Sequence, residues 1–317
     1  MVLSLAGILW WKEAVKPSSS EALEERFVIV KGASSEMVGK ELYEAGLIRS
    51  GFAFKLYIQV RELTRKIMPG EYRIPGNVGL SEVVEILMEG PVEMWVTIPE
   101  GLRREQIPER FIDALGLEGD VAEEFYAQFM RASEGKEGYL FPDTYLFPAD
   151  VSAAESVRKM SDTFDVKFGN RYKNGVGGLS LDEIVVLASI IERETVGEEE
   201  RPVVAGIYLK RLDAGWSMDA DATLQYAIAS ERCGRARESC EWWGGVLSSD
   251  KEVDSPYNTY RYAGLPPGPI ASPGLVSLEA VTNPVESEYW FYLHDAEGKI
   301  HYAKTLEEQS ENIRKYL

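Results

Sequence analysis

Leu187-Ala188-Ser189-Ile190-Ile191-Glu192-Arg193-Glu194-Thr195 carries an almost wholly apolar run into two carboxylates. On a helix of 3.6 residues per turn, Glu194 shares one face with Ile191, Ile190 and Leu187. Glu192 falls with Val185, Ala188 and Ser189, nearer the rim of that face, and Arg193 projects away from the Leu187 side. Upstream, Ser180 and Glu183 have the spacing of a capping box, so a buried helix is expected over 181–194. A carboxyl group held against apolar neighbours resists ionisation, because its charged form is poorly solvated there. An acid that keeps its proton near neutral pH can protonate a leaving oxygen. Glu194 is therefore the candidate catalytic acid. The plain alternative is a glutamate that frays into solvent at a helix end.

The 317 residues allow two or three modules. The composition, 45% hydrophobic without a long low-complexity tract or internal repeat, is that of a folded protein. A formal net charge of −18 argues against a nucleic-acid backbone as partner, since phosphate binding needs a basic surface. It argues equally against simple adhesion to anionic lipid, and serves solubility. Cys233 and Cys240 flank a polar stretch. A disulfide there would close a small loop and suit an oxidising compartment; two free thiols are the other reading. No metal site is expected, because His294 and His301 lie far downstream of the cysteines in an expected hairpin.

Residues 2–11 are apolar apart from Ser4 and end in Trp10-Trp11, followed by Lys12. The run is shorter than the roughly 20 residues a membrane helix needs and lacks the basic start and cleavage site of a signal peptide. Interfacial tryptophans and a lysine are typical of the trailing end of a membrane helix. Residues 1–25 are thus read as a clipped anchor end and linker, with a short buried segment as the alternative.

Beyond them the pattern is α+β. Residues 26–90 alternate strand, two helices, strand and helix, with strands at 26–30 and 71–74 and helices at 35–45, 52–66 and 81–88. A second, mostly helical domain is expected over 91–317. It holds a strand at 93–98, helices at 104–115, 121–131, 153–168, 181–194 and 202–214, and a helix entered through Asp221 or Thr223, either of which can cap it. Lys210-Arg211 and Gly215 form its clearest helix stop. A hairpin across Asp295–Gly298 and a terminal helix begun by Thr305 and Glu308 close the chain. Two segments resist regular structure. Glu137-Gly-Tyr-Leu-Phe-Pro-Asp-Thr-Tyr-Leu-Phe147 reads as a hydrophobic plug, or else as an aromatic shelf for a sugar face. Residues 255–274 hold five prolines and three glycines and read as a stiff loop presenting Tyr257, Asn258 and Tyr260, whose rings and polar tips suit sugars.

Six blocks occur in a characteristic order: Ile98-Pro-Glu-Gly101, Glu137 to Tyr145, Leu187 to Thr195, Asp221-Ala-Thr-Leu-Gln-Tyr226, Ser255-Pro-Tyr-Asn-Thr-Tyr260 and Gly264-Leu-Pro-Pro-Gly-Pro-Ile270. Together they resemble the YceG-like (MltG) family of endolytic murein transglycosylases, from about residue 26 to the C-terminus. The resemblance implies a lyase that cuts peptidoglycan glycan strands between N-acetylmuramic acid and N-acetylglucosamine and leaves 1,6-anhydromuramic ends, terminating strand growth. It places the catalytic glutamate at Glu194 and makes the 26–90 module similar to LysM-like domains. It further implies a single N-terminal anchor in the cell membrane, an extracytoplasmic catalytic domain and peptidoglycan synthases as partners, with no cofactor or metal. Two departures stand out. Family members often read Gln-Ser-Asp-Pro-Thr where this chain has Asp219-Ala-Asp-Ala-Thr223, and the Cys233–Cys240 region resembles a variable insertion.

A lytic transglycosylase can work with one carboxyl group, because the muramic 6-hydroxyl replaces water as nucleophile with the advantage of an intramolecular attack. Candidate sugar-binding residues are Asp221, Thr223, Gln225, Tyr226, Tyr257, Asn258 and Tyr260. Two other functions are open: a hydrolytic muramidase using Glu192, Asp219 or Asp221 as second carboxylate, and a non-catalytic peptidoglycan-binding protein.

Overall fold

A computed structural model describes residues 2–30, 32–64, 66–233 and 240–317. The chain forms two compact units, one of Met1–Val96, Asp113–Leu117 and Thr144–Val151, the other of Thr97–Ile112, Glu118–Asp143 and Ser152–Leu317.

In the first unit α1 (Val2–Ala14) precedes β1 (Glu24–Ile29), α2 (Ser35–Glu44), α3 (Gly51–Val60), β2 (Gly70–Pro75), α4 (Leu80–Glu89) and β3 (Glu93–Thr97). Ser34 and Ser50 cap α2 and α3, each side chain accepting a backbone N–H three residues on. The two helices meet through glycines: a Cβ on Gly39 would stand 2.8 Å from the Gly51 carbonyl oxygen, and one on Gly51 2.6 Å from that of Gly39. Antiparallel pairing runs from Glu24 opposite Pro75 to Ile29 opposite Gly70. Leu42, Phe54, Ile58, Tyr72, Ile74 and Leu87 fill the core beneath. α3 ends at Val60, short of the expected residue 66, because the chain turns at Glu62, which takes the left-handed conformation (φ 57°). Among the described residues, no helix is long and apolar enough to cross a membrane.

The sheet has the order β1-β2-β3-β4, and β4 is Thr144–Pro148. The stretch read as plug or shelf therefore ends in a strand. Tyr145 and Phe147 are buried on alternate positions, and Ala149 N–H donates to the Val92 carbonyl (3.1 Å). Leu146 between them masks the two-residue period.

The second unit contains α5 (Ile107–Leu115) as far as Ile112, α6 (Gly119–Ala132) and α7 (Ala153–Phe164). α7 relaxes into a π-helical turn over Asp165–Gly169 and a last turn, α8 (Asn170–Tyr172). Then follow α9 (Leu181–Glu194), α10 (Arg201–Asp213), α11 (Asp221–Cys233), α12 (Leu275–Thr282), the hairpin β5 (Phe291–His294) with β6 (Ile300–Ala303), and α13 (Leu306–Tyr316). Every residue from Ile184 to Ile191 is buried, the signature of a helix enclosed on all sides. α10, α11 and α12 pack around α9. Ser180 Oγ accepts from Glu183 N–H while Glu183 Oε2 accepts from Ser180 N–H, so the capping box is complete. The proline-rich segment is pinned to this axis by Ser189, whose hydroxyl accepts from Ile270 N–H (3.0 Å).

Cys233 and Cys240 are joined by a disulfide with Cα atoms 5.8 Å apart. Closing so short a loop is expected to contribute about 2 kcal/mol on the chain-entropy account. Melting curves with and without dithiothreitol test this; an unchanged Tm would mean the bridge constrains nothing.

Candidate active site

Glu194 is the last residue of α9, and Thr195 leaves the helix in extended conformation. The side chain does not fray. Oε1 accepts the N–H of Ala222 (3.2 Å), and Oε2 accepts the hydroxyl of Tyr292 (3.0 Å). The Tyr292 hydroxyl lies 2.7 Å from that of Tyr208. Since Tyr292 gives its proton to Glu194, Tyr208 donates to Tyr292, and a three-member chain ends on the carboxylate.

Opposed influences set the acidity of Glu194. Burial raises its pKa and is the largest; the Asp221 charge works in the same direction. The Ala222 and Tyr292 hydrogen bonds and the His294 ring pull the other way. Ala222 lies in the first turn of α11, where unpaired N–H groups favour an anion. The balance is upward, so this carboxyl holds its proton to higher pH than an ordinary glutamate. Burial also lifts Tyr208 and Tyr292 well above the usual phenol range, which keeps both as neutral donors.

Asp221 and Tyr260 form the adjoining pair. Tyr260 hydroxyl donates to Asp221 Oδ1 (2.6 Å). Asp219 is exposed and takes the left-handed conformation (φ 52°) just before α11. Tyr226 is fixed between the Arg103 guanidinium, 4.0 Å from its ring, and Tyr257, 4.7 Å away. Arg103, fully buried, also donates to the Tyr226 carbonyl and to Ser230 Oγ. Gln225 is half-buried on the same helix.

Three expectations need correction. Thr223 is fully buried, its hydroxyl shared between the Ala220 carbonyl and Thr259 Oγ1 (2.8 Å each); it ties α11 to the proline-rich loop and does not face open space. Asn258 is likewise buried. Its amide donates to the carbonyls of Lys251 (2.9 Å) and Val253 (2.8 Å) and accepts from Tyr260 N–H (3.1 Å), so it shapes the loop that presents Tyr257 and Tyr260. Glu192 is not at a rim: its side chain is 5% exposed. Oε1 accepts from Arg201 Nη2 (3.0 Å), and Oε2 accepts from Gly274 N–H (2.9 Å) and Ser277 Oγ (2.8 Å). A carboxylate so engaged is not free to activate water. Arg193 turns the other way and lies over Trp243 at 4.0 Å.

Tyr208, Tyr292 and the Ala222 N–H escaped sequence reasoning. Tyr292 lies 98 residues from its carboxylate, and a tyrosine alternating within a hairpin strand carries no sign of that partner. Among the described residues, no group of three or more His, Cys, Asp or Glu side chains is arranged to hold a metal ion.

The YceG-like family model matches residues 27–315. The chain is similar to an endolytic murein transglycosylase of Streptococcus pneumoniae serotype 2, 25% identical over 335 residues, which covers 94% of this chain and 60% of that protein. An endolytic murein transglycosylase of Bacillus subtilis is 27% identical over 315 residues, covering 91% of this chain and 84% of that protein. A crystal structure of a YceG-like protein from Listeria monocytogenes superposes with a TM-score of 0.64 at 28% identity, over 91% of this chain and 98% of that one. The chain thus spans about 60% of the length of the pneumococcal relative.

Proposed function

The chain belongs to the YceG-like family, and from that membership we propose that it is an endolytic lytic transglycosylase of peptidoglycan with Glu194 as its single general acid and base. The observation that carries this reading is a half-buried carboxyl of raised pKa held between the Ala222 N–H and the Tyr292 hydroxyl. Protonated Glu194 gives its proton to the oxygen bridging N-acetylmuramic acid and N-acetylglucosamine. The bond from muramic C1 to that oxygen breaks, and the N-acetylglucosamine fragment leaves with a hydroxyl. The carboxylate, stabilised at that moment by its two donors, then takes the proton of the muramic 6-hydroxyl. O6 bonds to C1, a 1,6-anhydro ring closes, and Glu194 is protonated again. No water enters, so no second carboxylate is required. Asp221, Tyr260, Tyr226 and Tyr257 position the sugars, and termination of strand growth follows from internal cutting.

Mass analysis of products from purified glycan strands tests the reaction. Anhydro ends are one water lighter than hydrolytic ends. A product that has gained water would make the protein a muramidase, and strand binding without any product would make it a binding protein.

We further propose an extracytoplasmic, membrane-tethered location beside the peptidoglycan synthases. The disulfide suits an oxidising compartment, and α1 exposes Ile8, Leu9 and Trp10 as the end of an anchor would. The LysM-like, glycan-binding reading of residues 26–90 rests on the family resemblance, and the strand–helix–helix–strand order of the first unit is compatible with it.

Tyr292 carries its own prediction. Its hydroxyl favours the anionic form of Glu194. Tyr292→Phe removes that donor, so the Glu194 pKa rises further. The alkaline limb of the pH–rate profile, where the acid form is lost, moves to higher pH. A limb that stays in place or moves down would remove Tyr292 from the catalytic carboxyl's control.

A further inference from the structure

Glu137 is a half-buried carboxyl in this unit that the mechanism above does not use. Both oxygens of Glu137 accept the N–H of Arg104 (3.0 and 3.2 Å). Burial, helped by the Glu105 charge, pushes its pKa up to about 8, against the pull of Arg103. Glu137 lines a cavity of about 550 Å³ together with Lys136, Tyr139, Asp165, Asp182 and Tyr257. Asp165 and Asp182 are exposed, and the Tyr139 hydroxyl donates to Asp182. Ser161 also lines the cavity, and its buried hydroxyl has no hydrogen-bond partner.

The cavity is tied to Glu194 in two ways. Asp182 and Val186, which line it, sit on α9. Glu194 ends the same helix eight residues beyond Val186, about 12 Å along the axis at the helical rise, comparable to the span of two pyranose rings. Tyr257, in its lining, and Tyr260, which pairs with Asp221 beside Glu194, stand three residues apart on one loop fixed by Asn258. A polymer seated at Glu194 and following that loop reaches the cavity within about one disaccharide.

Its chemistry suits something other than a bare sugar. Two exposed carboxylates, Asp165 and Asp182, against one lysine favour a cation, and a lone lysine in the same space offers a partner for a carboxylate. A glycan backbone whose lactyl carboxyl groups are tied up in amide bonds offers neither group; the peptide stems joined through those bonds have both.

We propose that this cavity is a subsite for an amine-bearing stem peptide on the muramic acid about one disaccharide from the bond that is cut. Asp165 and Asp182 receive the ammonium group, Lys136 receives a stem carboxylate, and the Glu137 and Ser161 hydroxyl groups meet peptide carbonyls. This rests on the transglycosylase reading for its substrate, but its test does not depend on turnover.

The experiment titrates the Glu194→Gln protein calorimetrically with three soluble tetrasaccharides of peptidoglycan: one with amine-bearing stems, one with those amines acetylated and one without stems, its lactyl carboxyl groups capped as simple amides. The first is expected to bind at least tenfold tighter than the other two. Asp165→Asn/Asp182→Asn, on the same background, is expected to lose that preference while keeping its affinity for the stem-free probe and its Tm. Equal affinity for all three probes, or no binding of any, overturns the proposal. So does a preference that survives in the Asp165→Asn/Asp182→Asn protein. None of these outcomes touches the mass of products made by the wild-type enzyme, so failure here is distinguishable from failure of the proposed activity.

Discussion

Glu194→Gln is expected to stop the formation of anhydromuramic ends while leaving a protein at least as stable as the wild type. The amide is the same size as the carboxyl group. Its oxygen can still accept from Ala222 N–H, and its NH₂ can donate to the Tyr292 hydroxyl, which rotates to accept. It cannot give a proton to a leaving oxygen or take one from the muramic 6-hydroxyl. Loss of one general acid or base typically costs about 10²–10⁴ in rate; in the proposed mechanism one group performs both transfers, so activity should fall to the limit of detection. The stability half follows from linkage. The folded-state pKa of Glu194 is raised. Between the unfolded and folded pKa values the folded protein keeps a proton that the unfolded chain has released. The Glu194 contribution to stability therefore falls as pH rises through that window and stays low above it. Glutamine has no such loss, so at pH 8 the variant should melt no lower than the wild type. Digest chromatography with mass detection, run beside melting curves at pH 5 and pH 8, checks both halves. Anhydro products at the wild-type rate would end the assignment; a much lower Tm at pH 8 would mean that burial of the charged form is not what sets this carboxyl's pKa.

Local chemistry explains which parts of this molecule were legible beforehand. The α9 capping box, the α10 stop at Lys210-Arg211-Gly215 and the hairpin turn at Asp295–Gly298 are encoded within a few residues, and the sequence reading placed all three. β4 and α12 were missed because their signals are tertiary. β4 is a five-residue strand hidden in an aromatic run. α12 has eight residues and starts at Gly274, which has no side chain with which to cap it; Glu192, 82 residues away, accepts the Gly274 N–H instead. The same distinction runs through the site. That Glu194 lies on an apolar face can be counted off from the helical repeat. That Tyr292 meets it, that Asn258 turns inward to the Lys251 and Val253 carbonyls, and that Glu192 is buried rather than peripheral all depend on which elements pack together. Helical phase gave Glu192 the neighbours Val185, Ala188 and Ser189, but not the arrival of α10 and α12 over it.

The two glutamates of the Glu192-Arg193-Glu194 turn should respond to substitution in opposite ways, and Glu192→Ala supplies the other half of that contrast. Its carboxylate joins three helices: α9, which carries it; α10, through Arg201 Nη2; and the start of α12, through Gly274 N–H and Ser277 Oγ. Arg201 is 8% exposed, and its Nε and Nη1 have no hydrogen-bond partner, so it depends on Glu192, with Glu100 a weaker second contact at 3.7 Å. Alanine leaves a buried guanidinium without its main counter-charge and uncaps α12. Removing one member of a buried ion pair typically costs about 3–5 kcal/mol, which for a unit of this size is a fall in Tm of roughly 10 °C. Wild-type protein and Glu192→Ala, compared by differential scanning calorimetry, should show that fall. Well below the melting transition, Glu192→Ala should retain activity per folded molecule, because Glu194, Ala222 and Tyr292 keep their own contacts. A Glu192→Ala protein that melts like the wild type but has lost activity would reverse the assignment, making the inner glutamate chemical and the arrangement around Arg201 incidental.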